Sequence, residues 1–268
     1  MPPAKCLSSG IVLLVLLVGG MSLARSKSTN SSESRSDSVR TPILVELFTS
    51  EGCSSCPPAD AFLARLEAQQ PVAGAEIIAI EEHVDYWDGL GWRDPFSSAD
   101  WTERQRRYAD VLGSGSIYTP QMIVNGSTEF VGSRERSGHD AIEQAARRSA
   151  VPLTLATTPV AGKHATEITV RVEKVDEPSG EAEVWLAITE TGLQSAVTRG
   201  ENAGRDLRHA SVLRRLQKLG VAKSGAQGTF TAKVSFDSSW KRENLHAVAF
   251  LQERRKLHIL GAAQVPLA

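Results

Sequence analysis

The sequence predicts an α/β domain followed by a mainly-β, sandwich-like domain. Three features carry that expectation. A strand–helix–strand pattern opens near Thr41, with Cys53-Ser54-Ser55-Cys56 at its first strand–helix junction. Thr119-Pro120 and Asn125-Gly126 then bracket a short apolar segment, as a hairpin requires. Beyond Val151-Pro152, short alternating apolar segments replace helical spacing. The 268 residues are 41% hydrophobic and 23% charged, enough to build a sizeable core. A formal net charge of -1 argues against a general nucleic-acid binder.

Residues 1–24 read as a secretory signal. Lys5 precedes the apolar run Ile11–Val18, and Ser22-Leu23-Ala24 offers small residues to a signal peptidase. That run is shorter than the roughly 20 residues of a membrane span, so membrane contact is expected only through an uncleaved signal. The expected location is therefore secreted or periplasmic, in a bacterium. Residues 25–40 read as a Ser-rich linker, with seven serines between Ser26 and Ser38.

Folded structure is expected over 41–150 and 151–268. Pro42–Ser50 is an apolar run of strand formers, buried on both faces. Pro57-Pro58 fits only the first turn of a helix, and Ala59, Phe62, Leu63 and Leu66 continue it at helical spacing. Ala75–Val84 supplies a second strand, parallel to the first. Asp94–Gly113 reads as a helix with Ser97 and Asp100 as a capping box. Gln121–Val124 and Thr128–Val131 form the hairpin, and Ser137–Ser149 a closing helix. In 151–268 the strand candidates include Ile168–Val172, Val184–Ile188, Phe230–Phe236 and Ala247–Leu251, with one short helix near Ala210–Leu219.

Signal removal takes Cys6 and leaves Cys53 and Cys56. A bridge between them closes a very small loop and adds little through chain entropy, so reactivity explains the pair better than stapling. At a strand–helix junction, unpaired N–H groups and the helix dipole stabilise the Cys53 thiolate. Cys56, one turn further in, is placed to resolve a mixed disulfide formed on Cys53.

The segment Glu46–Cys56 (ELFTSEGCSSC) followed by a helix resembles the thioredoxin superfamily, with Thr119-Pro120 resembling its cis-proline loop. Phe-Thr-Ser-Glu-Gly-Cys with the later Tyr-Thr-Pro is more closely similar to a family of secreted bacterial proteins of undefined function. Its members combine a thioredoxin-like domain with a C-terminal β domain, and the likeness spans most of the chain after residue 41. The resemblance implies a thioredoxin-like fold for 41–150 and Thr119 and Pro120 as a backbone edge for substrate polypeptide. Glu46, one residue further from the cysteine than the family's buried acid, is either a proton-transfer helper or a plain Glu on the exposed strand end, and His83 is the other helper candidate. Gly52 replaces the usual tryptophan and Ser-Ser separates the cysteines, which leaves the direction of electron flow open.

The expected activity is thiol–disulfide exchange with protein thiols and disulfides of the cell envelope. It uses the Cys53–Cys56 pair and no small-molecule cofactor, metal or nucleic acid. One alternative is a copper or zinc metallochaperone. Its ligands would be Cys53, Cys56 and His83, which like Asp85 follows the second strand onto the same rim. Another is a thioredoxin-fold binding protein without turnover. Trp87 and Trp92, in a Gly-rich loop, are the expected exposed aromatics of the 86–108 insertion. The polar segment Gly200–His209 is expected to be a structural loop, with contact to the active rim as the other reading.

Overall fold

The computed structural model describes residues 40–161, 164–174 and 181–267. The predicted signal sequence, and the linker up to residue 39, lie outside the described residues. Among the described residues there are thirteen strands and three α-helices, and none of those helices is long and apolar enough to cross a membrane.

The first elements follow local chemistry. β1 (Thr41–Thr49) runs parallel to β2 (Ala75–His83), joined by α1 (Pro57–Gln69), whose first turn holds both prolines. α2 (Ala99–Leu112) starts one residue later than the expected box: Ser98 is the N-cap, and its hydroxyl accepts from the Asp100 N–H. The hairpin β3 (Gln121–Val124) and β4 (Thr128–Val131) turns at Asn125-Gly126, both at positive φ, and Thr119-Pro120 before it is cis. α3 (Glu135–Ala146) closes this part of the chain.

The remaining strands are β5 (Leu153–Pro159), β6 (Ala165–Val172), β7 (Ala182–Glu190), β8 (Leu193–Ala196), β9 (Asp206–His209), β10 (Val212–Ala222), β11 (Gly228–Ser235), β12 (Leu245–Glu253) and β13 (Ile259–Pro266). They correct the expected fold class. A thioredoxin-like α/β domain followed by a separate sandwich-like domain is not what the chain builds. A single eight-stranded mixed sheet runs β13-β12-β7-β10-β2-β1-β3-β4, crossing residue 150. Its two halves join where β10 pairs parallel to β2 through Val212 and Glu81. One apolar layer crosses that join: Leu44, Ile78 and Ile80 pack with Trp101, Ala187, Leu213, Val248 and Phe250. A second layer packs β1 and β2 against α1 and α3. A third packs β7 and β12 on the small sheet β11-β6-β5. The described residues form one compact unit.

The expected helix near Ala210–Leu219 is also corrected, since Val212–Leu219 lie in β10. A register shift between Leu213 and Arg215 puts Leu213 and Leu216 on the same layer. A bulge therefore yields the spacing of three that imitates a helix.

The tip of the hairpin sets a strict local demand. Gly126 has φ +61, and a Cβ there would stand 2.0 Å from the Leu257 carbonyl oxygen. Gly126→Ala should therefore lower stability by about 2 kcal/mol or more. A lower urea midpoint with an unchanged slope checks this.

Candidate functional site at the end of β1

β1 ends at Thr49, and the chain turns through Ser50–Ser55 into α1. Cys53 and Cys56 form a disulfide there, with Cα atoms 5.5 Å apart. Cys56 is the N-cap of α1, and its carbonyl accepts from the N–H groups of Ala59 (2.8 Å) and Asp60 (3.1 Å). Both cysteines are 0% exposed, so neither presents the accessible sulfur anticipated for Cys53.

The polar segment near residue 200 is hydrogen-bonded to the backbone of this turn. It links β8 and β9 and forms a strap held together by Gly204 N–H to Val197 O (2.8 Å) and Val197 N–H to Arg205 O (3.0 Å). Asn202, fully buried, donates from Nδ2 to the carbonyls of Glu51 (2.8 Å) and Cys53 (3.0 Å). Glu201 accepts the Ser54 N–H at 3.0 Å. The strap lies against Gly91, where a Cβ would come within 3.3 Å of Gly200 Cα. The segment thus reaches the cysteines, the reading set second to a plain structural loop.

Trp87 and Trp92 are half-buried and hydrogen-bonded. Trp87 donates to Thr119 Oγ1 (2.8 Å) and Trp92 to Glu51 Oε2 (2.7 Å). A Cβ on Gly52 would lie 3.0 Å from Trp87 Cβ, which accounts for a glycine before Cys53. Trp87 thus links the turn before the cysteines to Thr119. Pro120 is buried behind it, and its carbonyl is taken by the Gly132 N–H.

Behind the turn lies a buried ionisable cluster of Glu51, Asp60, Glu81, His83, Asp94 and His209. Asp60 accepts from Thr49 Oγ1 at 2.6 Å. Burial, aided by Glu81, pushes the Asp60 carboxyl up to about 7. His83 Nδ1 is 2.7 Å from Asp94 Oδ2, which also accepts the Glu51 N–H. Burial opposes charge on His83, yet Asp94 and Glu81 hold its pKa at about 9. His209 lies between Glu81 (2.7 Å from Nδ1) and Glu51 (3.1 Å from Nε2). These carboxylates raise the His209 pKa well above the ordinary histidine range despite burial. The two imidazoles in turn keep Glu81 low, against the desolvation that would raise it.

Other predicted residues sit elsewhere. Glu46 is buried with Arg104, Tyr108 and Gln252, and its bonds go to Arg104 and Tyr108. Asp85 accepts from Thr102 at 2.6 Å. The cysteine sulfurs are bonded to each other, and His83 faces carboxylates, so this form does not present Cys53, Cys56 and His83 as one thiolate ligand set. Glu81, His83 and His209 do place ligand atoms within 4.8 Å of one another. The sequence does not mark Asp60, Glu81 and Asp94 as site residues, and it takes in Asn202 and His209 only as part of the polar segment Gly200–His209. The available signal was Glu81-Glu82-His83, three ionisable residues ending an otherwise apolar strand.

The chain is similar to two solved structures. An Agrobacterium tumefaciens protein determined by X-ray crystallography is 27% identical, with a TM-score of 0.66 over 85% of this chain and 96% of that one. HBP35 of Porphyromonas gingivalis is 15% identical, with a TM-score of 0.61 over 86% of this chain and 76% of that one, a likeness of fold alone. No curated protein matches. A family model described as "Protein of unknown function (DUF1223)" matches residues 44–252, and the chain belongs to that family.

Proposed function

We propose that this protein is an exported, extracytoplasmic thiol–disulfide oxidoreductase that acts through Cys53 and Cys56. The observation that carries the reading is the Cys53–Cys56 disulfide at the start of α1, backed by buried ionisable groups. In the reduced protein, the Cys53 thiolate attacks one sulfur of a partner disulfide. The partner's second sulfur leaves as a thiolate and takes up a proton. Cys56, on losing its proton, attacks Cys53 Sγ, restores the Cys53–Cys56 bond and releases the partner's first sulfur. Two electrons pass to the partner, and the reverse sequence oxidises a partner dithiol. The helix N-terminus favours the thiolate in either direction. In this reading Thr119 and Pro120 supply the docking edge for a partner polypeptide, supported by the Trp87 hydrogen bond to Thr119.

The strap must lift before a partner reaches Cys53. Asn202→Ala removes two of the three strap hydrogen bonds to the turn, leaving Glu201 on the Ser54 N–H, and should speed reduction of the disulfide by dithiothreitol about tenfold, the loss of roughly 1.4 kcal/mol of closure. An unchanged rate, followed by thiol alkylation, would count against gating by the strap. The activity itself is tested by turnover of a disulfide-bonded peptide with a glutathione or dithiothreitol supply. Acceleration by the full-length protein, lost in a Cys53→Ser variant, supports the reading. No acceleration in either direction leaves the binding-protein reading, for which the complete burial of both cysteines is the favouring observation.

A further inference from the structure

We propose that Glu81, His83 and His209 form a binding site for a divalent cation of the zinc class, built without the cysteines. Glu81 and His83 stand two apart on β2 and so project from the same face of the strand, while His209 arrives on the last residue of β9. All three are buried, and their ligand atoms lie within 4.8 Å of one another.

The orientation of each side chain is fixed from outside. His83 gives Nδ1 to Asp94, and His209 gives Nε2 to Glu51. The inner nitrogen of each ring, His83 Nε2 and His209 Nδ1, then faces the same atom, Glu81 Oε1, at 3.2 and 2.7 Å. The second Glu81 oxygen accepts the Ala210 N–H at 2.9 Å, which leaves Oε1 turned to the imidazoles. Metal-bound histidines characteristically hold their second nitrogen on a carboxylate in this way, which sets the tautomer and the ring plane.

An independent observation points the same way. His83 Nε2 is fully buried and makes no hydrogen bond, although it lies 3.2 Å from Glu81 Oε1. A buried polar atom whose ion pair with Glu81 misses hydrogen-bond geometry is incompletely satisfied, and a cation among the three inner atoms would complete it. Two imidazoles and one carboxylate suit zinc and leave a fourth position open. Tetrahedral ligation at about 2.0–2.1 Å separates ligand atoms by about 3.3 Å. The Glu81–His83 spacing already fits, and the Glu81–His209 spacing has to widen by about half an ångström. Phe96 packs edge-on against both rings, with centroids 5.4 and 5.6 Å away, and supplies an apolar wall. Binding displaces the protons carried on the inner nitrogens, so no redox partner is needed.

The test uses the full-length protein, stripped with chelator and refolded with Zn²⁺ so that burial does not limit access. After dialysis, one zinc per chain is expected in the native protein and in the Cys53→Ser/Cys56→Ser variant. His83→Gln and His209→Gln should lose it. With Co²⁺ as probe, visible d–d bands without a thiolate charge-transfer band are expected. Less than about a tenth of an equivalent of zinc in the native protein, which needs no folded variant, would overturn the proposal, as would binding that requires the cysteines.

Discussion

Cys53→Ser is expected to abolish thiol–disulfide exchange, lowering turnover by about 10³-fold or more, because the residual hydroxyl is no nucleophile toward sulfur at neutral pH. Cys56→Ser should fail differently. Attack by Cys53 survives, but nothing resolves the product, so a mixed disulfide with the substrate peptide accumulates. Non-reducing electrophoresis separates the two outcomes: no adduct with Cys53→Ser, and a thiol-sensitive adduct with Cys56→Ser. Equal adduct in both variants would deny Cys53 its role. Neither substitution should change the urea midpoint greatly, since the bridge spans a sequence separation of only three and constrains the unfolded chain little. A large stability loss in both variants, with no loss of exchange, would mark the pair as structural.

Arg104→Met should be the most destabilising single change in the chain's second buried charge cluster, by about 3–5 kcal/mol. Arg104 on α2 donates through Nε to Glu46 Oε1 (2.8 Å) and through Nη1 to Gln252 (3.2 Å), and pairs again with Glu46 through Nη2. Tyr108, one turn on, accepts from Arg104 (3.1 Å) and Gln252 (2.9 Å) and donates to Glu46 Oε2 (2.6 Å). Glu82 beside them has both oxygens buried without a hydrogen bond, and burial raises its pKa well above the carboxylate range despite Arg104. Arg104 thus faces two buried carboxylates, Glu46 through paired hydrogen bonds and Glu82 Oε1 at 3.4 Å. Removing only Arg104 leaves the Glu46 charge buried and unmatched. Pairing the change with Glu46→Leu removes that charge too and should recover most of the loss. Urea unfolding of the two single variants and the double variant measures it. A double variant less stable than either single one would contradict this division of charge.

The elements that were legible in the sequence are those written by local chemistry. Pro57-Pro58 fixes where α1 starts, the expected Ser97–Asp100 box falls one residue short of the actual α2 cap at Ser98, and Asn125-Gly126 marks where the hairpin turns. Strand identity in the second half was also readable, because β6, β7, β11 and β12 alternate or run apolar. Sheet membership was not. β10 joins β2 through Val212 and Glu81, and nothing in either segment names the other. The bulge in β10 further disguised it as a helix. That join is what makes one sheet of the chain and overturns the two-domain, thioredoxin-like reading.

The site divides the same way. Cys53, Cys56 and the Thr119-Pro120 step announced themselves by spacing. The groups around them did so only through the polar character of Gly200–His209, because they come from far along the chain. Asn202 lies 149 positions from Cys53 and His209 128 from Glu81, so only the fold brings them together. For Glu46 the sequence leaves two readings, a proton helper or a Glu on the exposed strand end; it is buried, so the second does not hold, and its hydrogen bonds go to Arg104 and Tyr108.

The reduction potential of the Cys53–Cys56 pair tests the proposed function most directly. The metal-free, full-length protein would be equilibrated with glutathione buffers and its free thiols counted by alkylation. A value of roughly -120 to -270 mV is expected, within the range of working exchangers, and its position would set the direction of electron flow. A value below about -300 mV would contradict the proposal and identify the buried bridge as a structural disulfide.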